Sequence, residues 1–114
     1  MRKIPVVLGL VLLTACQHRQ ALGRITDADS MRASILALAP VGSPAAAATP
    51  RLAGEGFSCS AQHGTFGGHA PSDYLYCSAS YATGSPVRRV WHIALFTDSG
   101  RVTGAATATG LLGP

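Results

Sequence analysis

The chain has 114 residues, of which 12 % are charged, and its formal net charge is +4. This length suits one domain with one modest hydrophobic core. Nucleic-acid binding needs a basic stripe with interleaved aromatic residues, whereas beyond the N-terminus only Arg88 and Arg89 are adjacent basic residues, so we expect no nucleic-acid partner.

The N-terminus has the layout of a secretory signal. Arg2 and Lys3 are cationic, and residues 4–13 are apolar apart from one proline and one glycine. Because a transmembrane helix needs roughly 20 apolar residues, this run is too short to span a bilayer. The pattern predicts an exported protein whose signal is removed.

Residues 13–16 read Leu-Thr-Ala-Cys and resemble the lipobox of bacterial lipoproteins. The resemblance implies cleavage before Cys16, acylation of Cys16 and anchoring of the mature chain in a lipid bilayer. Gln17 stands where an aspartate retains such lipoproteins in the inner membrane, which implies the outer membrane, with the domain facing the periplasm. We therefore divide the chain into a signal peptide at 1–15, a lipidated tether at 16–25 and a small domain at 26–114.

The cysteine count favours one disulfide. Of the three cysteines, Cys16 is assigned to the lipid, and an oxidising periplasm would join Cys59 to Cys77. Together with His63 and His69, these two cysteines also match the residue types of a Cys₂His₂ zinc site. Such sites usually contain closely spaced cysteines, which this sequence lacks, so we predict the disulfide and neither a metal nor a cofactor.

Two helices are predicted before the sheet. Residues 26–29 resemble a capping box with aspartate in place of glutamate, and a helix over 27–38 follows from the spacing of its apolar residues Met31, Ile35 and Leu38. Ser43-Pro44 and the alanines at 45–48 favour a second helix. Pro50 would cost about 3 kcal/mol inside it, so we expect this helix to be short, broken or displaced.

Downstream of the helices, apolar residues alternate with polar ones, which is typical of half-buried strands. Residues 87–96 form the strongest predicted strand, and Asp98-Ser99-Gly100 turns it into a last strand from 101 to about 109. Cys59 and Cys77 lie on the apolar faces of their strands. The predicted fold is α+β, with one or two N-terminal helices packed on one face of a three- to four-stranded antiparallel sheet.

This order of elements after a lipobox resembles the small accessory lipoproteins of the outer-membrane β-barrel assembly machinery and the related β-lactamase-inhibitor-like fold. The likeness covers residues 25–109 and concerns architecture. It implies a fold, while the function has to be argued from individual residues.

Catalytic chemistry is scarce in the sequence. Ser99, His92 and Asp98 could supply a serine, a histidine and a carboxylate, yet no nucleophile-elbow pattern surrounds the serine. The five acidic residues are mostly explained as caps and turns, so paired glycosidase-type carboxylates are not expected either. We expect a protein that is not an enzyme.

The outer face of the sheet is the candidate binding surface. If Trp91 and Cys77 face the helices, alternation places a mainly aromatic set on the opposite face: Tyr74, Tyr76, Arg88, His92 and Phe96, together with Val90. Aromatic residues and arginine are enriched at protein interfaces. The alternatives are that the tail at 105–114 folds over this face or that the protein dimerises through it.

We therefore expect a lipid-anchored envelope protein that acts as a protein-protein interaction module, either as an assembly accessory or as an inhibitor. The alternative is a periplasmic lipoprotein that binds a small ligand or a metal through the loop between His63 and His69. Retention of zinc by the purified mature protein would distinguish the two functions.

Overall fold

The computed structural model describes residues 21–84 and 86–113. The predicted signal peptide at 1–15, Cys16 and Gln17 lie outside the described residues. Within the described part of the chain, no helix combines the length and the apolar composition needed to cross a bilayer. The elements are a 3₁₀ turn (Ala21–Arg24), helices α1 (Ala28–Leu38) and α2 (Ala45–Gly54), and strands β1 (Ser58–Gly64), β2 (Ser72–Gly84), β3 (Val87–Asp98) and β4 (Arg101–Leu112).

Helix α1 begins at a side-chain cap. The Asp27 carboxylate accepts a hydrogen bond from the backbone N–H of Ser30 at 2.8 Å, which satisfies one of the free donors of the first helical turn. This hydrogen bond holds the pKa of Asp27 below its ordinary value. The predicted helix is confirmed, and its N-cap lies one residue later than the predicted capping box places it.

Helix α2 is short, as predicted, and Pro50 neither breaks nor displaces it. Ala48 and Leu52, on either side of the proline, are buried. Packing of this helix face against the core offsets the backbone hydrogen bond that proline cannot donate. The predicted cap residue Ser43 donates its hydroxyl to the Pro40 carbonyl at 2.5 Å instead of capping the helix.

The four strands form an antiparallel sheet in the order β1-β2-β3-β4, which confirms the predicted α+β fold. Asp98 and Arg101 pair across the last turn, and the two residues between them, Ser99 and Gly100, have positive φ values of 52° and 78°. Positive φ at both central positions is the hairpin geometry that matches the twist of the strands. Strand β4 continues to Leu112, beyond its predicted end.

The core lies between the two helices and the inner face of the sheet. Its largest fully buried side chains include Met31, Ile35, Leu52, Trp91, Ile93 and Leu95. Fully burying side chains of this size contributes about 1.5–3 kcal/mol each. Leu22 belongs to the same cluster and Ile25 packs against it, so the folded domain begins before residue 26 and overlaps the predicted tether at 16–25.

The predicted disulfide between Cys59 and Cys77 is present. The two residues lie directly opposite each other on β1 and β2, with their Cα atoms 4.0 Å apart and their sulfur atoms bonded. Cys77 is fully buried, and Cys59 packs against the core. The bond links the edge strand β1 to β2. In the chain-entropy model, closing a loop of this size raises the free energy of unfolding by about 3 kcal/mol.

Candidate functional site

Strand register brings four of the predicted binding residues together on the outer face of the sheet. Tyr74 lies directly opposite Phe96, and Tyr76 lies opposite Ala94, diagonally next to His92. Since successive side chains alternate between the two faces of a strand, all four rings lie on the face away from the helices. This face is therefore aromatic, as the sequence predicts.

The rings of these residues contact one another in two pairs. The Tyr74 and Phe96 ring centroids are 6.2 Å apart in an edge-to-face arrangement, and those of Tyr76 and His92 are 6.0 Å apart and nearly parallel. The Tyr76 hydroxyl and His92 Nδ1 are 2.5 Å apart, and the hydroxyl donates when the imidazole proton is on Nε2. Aromatic pairs of this kind contribute about 0.5–1.5 kcal/mol beyond their burial, which holds the rings in place.

The β1–β2 loop, residues 65–71, lies over part of this face. Phe66 contacts Tyr74 and Tyr76, with ring centroids 6.0 and 6.4 Å away. The His69 imidazole stacks on Phe96 at a centroid distance of 3.6 Å and an interplanar angle of 12°. We call the combined set the aromatic patch: Phe66, His69, Tyr74, Tyr76, His92 and Phe96.

The aromatic patch has a covered part and an open part. Phe96 is only 4 % exposed beneath His69, whereas Tyr74 and Tyr76 are half-buried and His92 is exposed. Phe96 therefore packs within the patch and does not face solvent. The rings that an approaching partner can contact include those of Tyr74, Tyr76 and His92.

Sequence reasoning missed the part played by the loop. It considers His69 only as a possible ligand of a metal or a small molecule, and it offers the tail at 105–114 as the alternative cover, whereas that tail continues β4 as far as Leu112. The available signal was an aromatic residue and a histidine flanking Gly67-Gly68. Gly67 has a φ of +59°, a backbone conformation that glycine adopts readily and that lets the loop reverse over the sheet.

Arg88 shares the outer face but does not belong to the aromatic patch. Its guanidinium donates twice to Ser80, from Nε to the hydroxyl at 2.7 Å and from Nη2 to the carbonyl at 2.9 Å. Arg88 pairs with Ala82 near the β2–β3 turn, at the end of the sheet away from the patch. Ser60 and Gln62, which lie opposite the two tyrosines on β1, are neutral, so the patch is bordered on the β1 side by polar residues without fixed charge.

The four residues considered for a zinc site do not converge. Cys59 and Cys77 are consumed by the disulfide. His63 Nδ1 lies 2.6 Å from an Asp73 carboxylate oxygen on the helix side of the sheet, while His69 lies on the opposite face. Among residues 21–84 and 86–113, no group of three or more His, Cys, Asp and Glu side chains is arranged to hold a metal ion.

The three residues considered for nucleophilic catalysis are also separated. The Ser99 hydroxyl donates to the Asp98 carboxylate at 3.3 Å within the turn. His92 lies on the same strand as Asp98, about 20 Å away at the usual rise per residue, and its Nδ1 is hydrogen-bonded to Tyr76. No serine–histidine–carboxylate relay is formed by these residues.

Two open clefts of about 590 Å³ each flank the helix layer. In one of them, the Tyr81 hydroxyl donates to the Glu55 carbonyl at 2.5 Å, and burial, with a smaller effect of the Glu55 charge, raises the pKa of Tyr81 to about 12. The other contains the His63–Asp73 pair. The Tyr81 hydroxyl of the first cleft and the His63–Asp73 pair of the second are thus already bonded within the chain, whereas the buried Glu55 Oε1 of the first cleft has no hydrogen-bond partner among the described residues. We take the outer face, which gathers several aromatic rings in contact, as the stronger candidate site.

Comparison of this chain with protein-family models, with curated proteins and with solved structures returns no match. The site itself is a partly exposed aromatic surface without acidic residues, arginine or lysine, on a disulfide-linked α+β domain.

Proposed function

We propose that this chain is a lipid-anchored protein of the bacterial envelope that binds another envelope protein through the aromatic patch, as an assembly accessory or as an inhibitor. The anchor rests on the resemblance of residues 13–16 to a lipobox. The Cys59–Cys77 disulfide supports it, because such bonds persist in oxidising compartments such as the periplasm. Only Cys16 then remains of the three cysteines, and acylation is the role that the lipobox gives it.

The observation that carries the binding role is the exposure of Tyr74, Tyr76 and His92 on a sheet face without helices. Tyrosine rings bury a large area at a low cost in side-chain entropy, and they are enriched where proteins bind one another. Contacts within the patch hold these rings before a partner arrives, which lowers the entropic cost of binding. The absence of fixed charge in the patch favours a partner surface that is itself apolar or aromatic.

The position of the anchor restricts where the partner is met. Leu22 is packed in the core, so at most about 20 Å of extended chain separates it from an acylated Cys16. The folded domain therefore begins close to the membrane surface. A partner embedded in the outer membrane or attached to it fits this reach.

Affinity purification from solubilised membranes tests this function. The full chain, a Tyr76→Ala variant and an Ala37→Ser variant are compared, since Ala37 is exposed on helix α1, on the opposite side of the domain. We expect the same envelope protein to co-purify with the parent chain and with Ala37→Ser. Its recovery should fall more than tenfold with Tyr76→Ala, which corresponds to about 1.4 kcal/mol. Equal recovery with all three chains would contradict the proposal.

A further inference from the structure

Strand β4 is the last strand of the sheet, and its free edge is covered over only half of its length. The Val102 N–H donates to the Ser43 carbonyl at 2.9 Å, and the Val102 carbonyl accepts from Gly42 N–H at 2.8 Å. Further along, Arg32 Nε donates to the Ala105 carbonyl at 2.8 Å. The chain itself therefore protects the edge up to residue 105.

Beyond residue 105 no described residue pairs with the backbone of this edge, and the contact recorded there is on the helix side, where the Thr107 hydroxyl donates to the Ala28 carbonyl at 2.7 Å. The Ala105 carbonyl points away from β3, and the alternation of an antiparallel ladder then points the backbone groups of Thr107, Thr109 and Leu111 the same way. No hydrogen bond from residues 21–84 or 86–113 reaches these outward N–H and carbonyl groups. The three residues therefore present a row of donors and acceptors with the spacing of a strand.

The composition of this edge does nothing to prevent pairing. Natural edge strands are usually protected by charged residues, proline or short length. Residues 103–112 contain neither a charged residue nor a proline. Leu111 and Leu112, at the end of the strand, are 58 % and 60 % exposed. A strand with these properties favours addition of another strand.

We infer that the added strand is β4 of a second copy of this chain, paired antiparallel about Thr109. In this register Thr109 lies opposite its own counterpart, and Thr107 lies opposite Leu111. Because each opposed pair exchanges two hydrogen bonds, about six backbone bonds form across the interface.

The side chains of the strand fit this self-pairing. On the outer face Leu112 lies opposite Ala106 of the other copy, and on the inner face Leu111 lies opposite Thr107 of the other copy. Each exposed leucine therefore packs against a smaller side chain. The charged residue of the strand, Arg101, is eight positions from the centre. The two copies of Arg101 therefore lie far apart and do not repel each other.

The pairing joins two four-stranded sheets into one. Its two-fold axis runs perpendicular to the sheet, so the aromatic patches of both copies lie on the same face, and the helices of both copies lie on the other. This inference does not depend on what the aromatic patch binds, since it rests on the edge of β4 alone.

Oxidative cross-linking of the full chain in membranes tests the pairing. Directly opposed residues of a hydrogen-bonded pair have Cα atoms about 5.5 Å apart, which is within disulfide reach. We expect a Thr109→Cys variant to form a covalent dimer of two copies. Thr103→Cys, at an exposed position of β4 outside the paired segment, is the control and should remain monomeric. The parent chain should also remain monomeric, which controls for Cys16.

A second substitution in the Thr109→Cys chain separates specific pairing from random collision. Leu111→Glu places a charge on the exposed edge and should reduce the dimer at least fivefold. Val41→Glu likewise replaces an exposed apolar side chain with a carboxylate, at a residue that lies outside β4 and is 64 % exposed. It should leave the amount of dimer unchanged. Equal cross-linking at positions 103 and 109, no dimer from a folded Thr109→Cys chain, or insensitivity to Leu111→Glu would each overturn the inference.

Discussion

The His69 imidazole lies nearly parallel to the Phe96 ring, 3.6 Å from it between centroids. Together with the contacts of Phe66 to Tyr74 and Tyr76, this stacking holds the β1–β2 loop against the sheet and covers Phe96. It divides the aromatic patch into a packed part, formed around Phe96, and an accessible part, which includes Tyr74, Tyr76 and His92. Stability and binding should therefore respond to different residues of the same patch.

Substitution of the packed ring should reduce stability, and substitution of an accessible ring should not. Phe96→Ala removes a buried ring and should lower the free energy of unfolding by about 3 kcal/mol. Tyr76→Ala removes a half-buried ring and should cost about 1 kcal/mol or less. Urea denaturation of the two variants measures both values. A larger loss for Tyr76→Ala than for Phe96→Ala would contradict the division of the patch.

The disulfide should provide a large share of the stability of this small domain. Replacing both Cys59 and Cys77 with serine should lower the free energy of unfolding by about 2–5 kcal/mol. The intact parent chain should have a mass two hydrogens below that of its reduced form, with both cysteines in one linked peptide. Two free thiols in protein isolated without reductant would contradict the bond.

The cap of helix α1 should make stability depend on acid pH. The Ser30 N–H stabilises the charged form of Asp27 and lowers its pKa from the ordinary value of 3.8. Because the folded-state pKa is the lower one, the stabilisation is present above about pH 4 and is lost as pH falls through the folded-state pKa.

Melting temperatures at two pH values test this dependence. Asp27→Ala should lower the melting temperature more at neutral pH than at about pH 2. Thr26→Ala is the matched control, because the predicted capping box begins at Thr26 whereas the N-cap in the structure is Asp27. Its effect on the melting temperature should be small at both pH values. An equal loss at both pH values for Asp27→Ala would contradict a role for the carboxylate.

The lipid anchor is tested at the residue that the lipobox resemblance identifies. Cys16→Ser removes the thiol that would be acylated, so the variant should accumulate as an unprocessed precursor that incorporates no labelled fatty acid. Metabolic labelling with a fatty acid reports acylation, and the mass of the protein recovered from the membrane fraction reports whether the signal has been removed. Normal processing and membrane retention of Cys16→Ser would contradict the anchor.

Alternation along the strands was enough to predict the sheet and the face that carries Tyr74, Tyr76, His92 and Phe96. It also placed Cys59 and Cys77 within reach of each other, because both fall on the apolar side. These features depend on a period of two, which is local and visible in the sequence.

Other features depend on contacts that have no local pattern. Nothing around Phe66 and His69 shows that a glycine-rich loop returns to the sheet, because its path is set by the rings it meets there. Leu22 follows a short polar stretch without periodicity, so its burial against Met31 and Trp91 could not be predicted. The extension of β4 to Leu112 likewise depends on pairing with β3, since the alanine and glycine residues of this strand have little preference for a strand of their own.

A photo-crosslinker placed at Tyr76 in living cells tests the central claim most directly, namely that the accessible part of the aromatic patch binds another envelope protein. The control is the same crosslinker at Ala37, which is exposed on the helix side. We expect one distinct adduct from position 76, at least tenfold stronger than any adduct from position 37, and loss of that adduct with His92→Ala. No adduct from position 76 in a stable, membrane-anchored chain, or the same adducts from both positions, would contradict the account.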